Sequence, residues 1–128
     1  MNNQLLKGKV VLVSCFDKNW VSCLVTPLIN SGADVTLITD LATSSFSDHL
    51  DPGLIKHITP IVFDTHDLTK ADKISTEILS AYSRVDILIN APVPPFFKGY
   101  LETKVEDFSI IFQCYLVPIF AIIRASGN

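Results

Sequence analysis

The chain reads as α/β, a doubly wound parallel sheet with helices on both faces, and two observations carry that reading. Residues 10–13, 34–39, 58–63 and 85–89 form apolar runs rich in Val, Ile and Thr, each too short for a helix. Between them lie segments with helical spacing or turn chemistry, so strands and helices alternate, the order that crossover-linked parallel strands require. At 128 residues the chain is a single domain, residues 1–128, large enough to bury about two-thirds of its unfolded surface.

The elements follow in order. Val10-Val11-Leu12-Val13 is a strand expected to be buried on both faces. After a polar turn, Val21, Leu24, Val25, Leu28 and Ile29 recur at i, i+3, i+4, i+7 and i+8, one face of a helix that Gly32 ends. Residues 34–39 are a second strand. Residues 41–50 are rich in Ser and Thr and make a poor helix, and Asp51-Pro52-Gly53 reads as a turn. Residues 58–63 are a third strand, and Pro60, lacking an N–H, assigns it to the sheet edge in a strand order 3-2-1-4. Thr69 is expected to cap a helix whose Ile74, Ile78, Leu79 and Tyr82 share a face. A fourth strand, 85–89, and a proline-rich loop from Asn90 to Gly99 precede a long helix over 105–125 with an internal Pro118.

Composition narrows the function classes. The chain is 48% hydrophobic and 18% charged with a net charge of −3, which suits a folded domain and gives no basic footprint for nucleic acid. No secretory signal precedes the first strand, and the apolar stretch 110–123 is too short and too interrupted to span a bilayer. Cys15, Cys23 and Cys114 show no metal-ligand spacing and fit a reducing, cytoplasmic setting. His66 stands close to Asp64 and Asp67, but a solvated turn is the favoured reading over a metal site.

The segment 6–14, Leu-Lys-Gly-Lys-Val-Val-Leu-Val-Ser, followed by Ser31-Gly32-Ala33-Asp34-Val35, resembles the start of the short-chain dehydrogenase/reductase family. The likeness extends through Asp64-Thr65-His66-Asp67, where that family has Asp-Val-Thr-Asp near the adenine. It continues in Val85-Asp86-Ile87-Leu88-Ile89-Asn90-Ala91, where the family has Val-Asp-Ile-Leu-Val-Asn-Asn-Ala-Gly. Here either one Asn is deleted or Ala91 replaces the second. The resemblance implies a Rossmann-like fold, NAD or NADP as cofactor, and oxidoreductase descent. It places Ser14, Cys15, Asn19, Val21, Asp40, Asp64, Thr65, Asn90 and Ala91 around the dinucleotide.

The same alignment shows departures. The family's turn is Thr-Gly-x-x-x-Gly-x-Gly, and counting from Ser14 puts Cys15, Asn19 and Val21 in the three glycine places. Glycines there permit positive φ, close backbone approach to the pyrophosphate and close helix packing. Holding Cys15 in a glycine-only conformation would cost about 1–3 kcal/mol, and Asp17 beside a dianion adds repulsion of about 4 kcal/mol at 4 Å and an effective dielectric of 20. The cofactor is therefore expected to bind weakly or not at all. Asp40 lies about 20 residues past the turn, where an acid can hold a ribose 2′-OH, and it can equally cap the next segment.

Tyr100 and Lys104 have the spacing of the family's catalytic pair but precede the fourth helix instead of lying on the helix after a fifth strand, so no catalytic residue is assigned. Tyr115 stands where the resemblance implies a relay Asn. The chain resembles only the cofactor half of the family, ending after the fourth helix. The expectation is a truncated, catalytically inactive pseudoenzyme, or an interaction module that pairs with another reductase-like subunit. The helix 105–125 is apolar nearly all round and must be covered, which points to a homo-oligomer or hetero-oligomer.

Overall fold

A computed structural model of the chain describes residues 4–15, 18–39, 46–62, 76–77, 80, 84–91, 98–112 and 116–126. Strand β1 (Val10–Cys15) leads into helix α1 (Lys18–Asn30) and strand β2 (Asp34–Thr39). A one-turn helix α2 (Pro52–Ile55), strand β3 (Ile58–Val62) and strand β4 (Ile87–Ala91) follow. A 3-10 turn (Tyr100–Glu102) then precedes helices α3 (Val105–Ile111) and α4 (Val117–Ser126). The four strands form one sheet in the order β3-β2-β1-β4, every pair parallel. Pro60 does lie in the edge strand β3, where its missing donor breaks no ladder on the open side.

All six residues of β1 are buried, because the strand is central and both its faces are covered. On one face Val11, Val13 and Cys15 join Val35 and Leu37 of β2 and Val21 and Val25 of α1. On the other, Leu12 and Ile38 meet Ile61 and Ile122, the last from α4. The two core clusters make the sheet doubly wound.

Helix α1 ends in a Schellman arrangement, with Gly32 N–H donating to Ile29 O at 2.9 Å and Ala33 N–H to Leu28 O at 3.1 Å. Gly32 has φ +92°, and a Cβ built there would stand 2.7 Å from Gln4 Oε1. Only glycine meets both conditions without strain.

At the amino ends of the two strands, β4 is clamped to β1 by charge. The Val10 N–H donates to Asp86 Oδ2 at 2.8 Å, Arg84 Nε reaches both Asp86 oxygens at 3.1 Å, and Arg84 Nη2 donates to Gly8 O at 2.6 Å. Polar work at 84–86 is the reason β4 begins at Ile87, two residues later than the expected 85–89 strand.

One further expectation is corrected. Asp51-Pro52-Gly53 opens helix α2 instead of forming an isolated turn: Asp51 accepts the Gly53 N–H at 2.9 Å and Pro52 takes the first helical position. Of the one helix expected over 105–125, residues 105–112 and 116–126 are helical, with Phe112 and Leu116 in π-helical geometry, and 113–115 lie outside the described residues. Pro118 is the second residue of α4. Of the expected helix after Thr69, residues 76, 77 and 80 are helical, and Thr69, Ile74, Ile78, Leu79 and Tyr82 lie outside the described residues.

Candidate functional site

In an open parallel sheet the binding crevice lies beyond the carboxyl ends of the strands, at the point where the strand order reverses. Here that point is between β1 and β4. The parallel register sets Ser14 opposite Asn90 and Cys15 opposite Ala91, so four of the candidate residues come together there. Ser14 is buried, and its Oγ donates to Asn90 Oδ1 at 2.6 Å. This bond ties the mouths of the two strands together and occupies the Asn90 carboxamide oxygen.

The described residues on either side of the connection between β1 and α1 show how the glycine losses are accommodated. No described residue other than glycine has a positive φ, so Cys15, Asn19 and Val21 all adopt ordinary backbone conformations. The strain foreseen for a glycine-only conformation at Cys15 is therefore absent. Cys15 and Val21 are fully buried in the α1-side cluster, their side chains filling the space between helix and sheet. Asn19 is exposed in the first turn of α1. A pyrophosphate cradle needs backbone that comes close to the phosphates with no Cβ in the way. Three Cβ-bearing residues in ordinary conformations do not supply it, so these residues do not fit a dinucleotide as a glycine turn would.

Asp40, Asp64 and Thr65 lie outside the described residues, as do Asp17, His66 and Tyr115. Among the described residues no group of His, Cys, Asp and Glu could hold a metal ion. No described helix is long and apolar enough to cross a membrane. Tyr100 is almost wholly exposed in the 3-10 turn, and Lys104 immediately precedes α3. The two do not lie one turn apart on a common helix, the arrangement in which a lysine tunes a tyrosine.

Tyr100 and Lys104 instead line an open groove of about 690 Å³ with Leu101, Thr103, Val105 and Phe108. Beside it Asp107 is buried, accepting the Lys104 N–H at 2.8 Å and an ion pair from Lys98 Nζ at 3.0 Å. The Lys104 N–H and the Lys98 ammonium hold the Asp107 carboxyl below its ordinary range. Sequence reading missed this pair, although an acid at the third position of a helix is a capping signal.

No protein-family model and no curated protein sequence matches the chain. Solved structures do. A short chain dehydrogenase from Pseudomonas syringae superimposes with a TM-score of 0.79 at 19% identity over 97% of this chain and 53% of its own. A citronellol catabolism dehydrogenase from Pseudomonas aeruginosa gives 0.78 at 18% identity over 100% and 53%. A variant of ElxO with NADPH bound gives 0.75 at 17% over 91% and 48%. The chain thus spans about half the length of the structures it matches, and over that span it has the short-chain dehydrogenase/reductase fold.

Proposed function

We propose that the chain is a short-chain dehydrogenase/reductase-like protein, an NAD(P)-dependent oxidoreductase by descent, that performs no hydride transfer by itself and retains little affinity for the dinucleotide. The observation that carries this reading is that Cys15 and Val21 are buried core residues where close backbone approach to a phosphate needs glycine. Tyr100 and Lys104, which have the spacing of a catalytic pair, lie on a 3-10 turn and just before α3 instead of on one helix. Among the described residues Cys15 and Cys23 are thiols outside any disulfide, which fits a cytoplasmic location. Purified chain incubated with NADH or NADPH and a panel of aldehydes and ketones is expected to show no turnover. Turnover that Tyr100→Phe abolishes would overturn the reading.

A second reading, a non-catalytic module that pairs with another reductase-like subunit, is favoured by one specific feature. Phe108, Phe112, Phe120 and Ile123 are each about half exposed or more, on α3, at its end and on α4. Buried Ile122 shows which side of α4 meets the sheet, and the exposed residues lie off that side. Large apolar side chains left in water forgo about 1.5–3 kcal/mol each. Exposed apolar side chains of this size, where they gather into one patch, mark an interface.

A further inference from the structure

The two end strands of the sheet are not alike. In β3, Pro60 removes a donor from the edge, one of the ways an edge is kept from pairing. In β4, Ile87-Leu88-Ile89-Asn90-Ala91 contains no proline and no charge, and all five residues are half-buried. Among the described residues no strand lies beyond β4.

The ladder fixes which groups that edge presents. The Asp34 N–H donates to Lys9 O at 2.9 Å, so residues 9, 11 and 13 turn their peptide groups to β2, and Val10, Leu12 and Ser14 turn theirs to β4. The Asp86 N–H, donating to Val10 O at 2.9 Å, agrees. With Leu12 opposite Leu88 and Ser14 opposite Asn90, the groups that meet them belong to Ile87, Ile89 and Ala91. Leu88 and Asn90 therefore present their N–H and C=O groups outward, and backbone groups in a half-buried strand need partners.

We propose that the outer edge of β4 pairs antiparallel with the same edge of a second copy of the chain, about a two-fold axis at Ile89. This goes beyond the pairing reading above, using the sheet and none of the α3 and α4 side chains. Leu88 then faces Asn90 of the other copy and exchanges both hydrogen bonds with it, so every outward group of the two residues is satisfied. Neighbouring registers satisfy fewer. Centred on Leu88, Asn90 would face Asp86, whose N–H is already given to Val10 O; centred on Asn90, Leu88 would face Pro92, which has no N–H. Opposed residues share a face of the sheet, so Ile89 meets Ile89 and Ile87 meets Ala91 on the α1 side, where all three pack partly against the core. The two-fold axis closes the assembly at two copies.

The test is amide hydrogen exchange, read residue by residue by NMR on the full chain at low and high micromolar concentration, beside sedimentation equilibrium. The expected result is a dimer at the higher concentration whose Leu88 and Asn90 amides exchange at least about tenfold more slowly than at the lower one, while those of Ile89 and Ala91, bonded to β1, are slow at both. Leu88→Pro removes one outward donor from each copy and none from the β1 ladder, and should weaken the dimer at least about tenfold, with circular dichroism to confirm folding. If that variant does not fold, the exchange pattern decides alone. A dimer whose Leu88 and Asn90 amides exchange alike at both concentrations, or a folded Leu88→Pro with an undiminished dimer, would overturn this edge as the contact and leave the pairing reading through α3 and α4 standing. A monomer at high micromolar concentration, or protection of the two amides only when a different subunit is added, would overturn the second copy as partner.

Discussion

Ser14 and Asn90, 76 positions apart in the chain, are joined by a 2.6 Å hydrogen bond from the serine hydroxyl to the carboxamide oxygen. Parallel pairing of β1 with β4 puts them opposite each other, so the bond closes the sheet at the end where a parallel α/β fold carries its site. Ser14→Ala should cost about 1 kcal/mol, a normal net value for one hydrogen bond. Asn90→Ala should cost more, about 1–3 kcal/mol, because it strands a buried hydroxyl. Urea unfolding of both variants checks the order, and equal or reversed costs would show that the bond does not organise this end of the sheet.

Gly32 is held by both conformation and space. Gly32→Ala should destabilise by about 1–3 kcal/mol, since it combines positive φ with a Cβ only 3.2 Å from the backbone Cα of Lys7. Gly8, also at positive φ but with open space around its Cα, supplies the comparison. Gly8→Ala should cost only about 1 kcal/mol, the conformational part alone. Thermal melts of the two variants read the difference.

Acid should loosen the β1/β4 clamp in a defined window. The Val10 N–H, then the Arg84 guanidinium, hold the Asp86 carboxyl below its ordinary value of 3.8. With the folded value depressed, the carboxylate contributes fully above pH 3.8. That contribution declines as pH falls below 3.8, because the unfolded chain takes up the proton first, and it is gone below the folded value. Asp86→Asn should flatten this part of the stability profile measured by urea unfolding between pH 5 and pH 2, as should Asp107→Asn for its own share. An unchanged slope in Asp86→Asn would mean the clamp carries no net proton linkage.

Much of the fold was legible because burial on both faces leaves a plain mark: Val10 to Val13 and residues 34–39 are apolar in ways that only central strands need. Strand β4 was misplaced by two residues because Val85-Asp86 looks like the start of a strand, and nothing local reveals that Asp86 reaches across to Val10. The α3–α4 region was the least legible part. A segment apolar all round has no periodicity to say which face is covered, and only the contact of Ile122 with Leu12, Ile38 and Ile61 settles it. At the site, Ser14 and Asn90 could each be named from sequence, but their meeting depends on a register between distant strands. The turn was legible in its losses and not in their consequence, because a missing glycine does not say where the new side chain goes. Cys15 and Val21 go into the core.

The most direct test of the central claim is calorimetric titration of the purified chain with NADH and with NADPH. The account predicts dissociation constants of about 1 mM or weaker for both, no more than about 4 kcal/mol of binding free energy. Micromolar binding of either nucleotide would contradict it, and would mean that backbone around Cys15, Asn19 and Val21 can cradle a pyrophosphate without glycine.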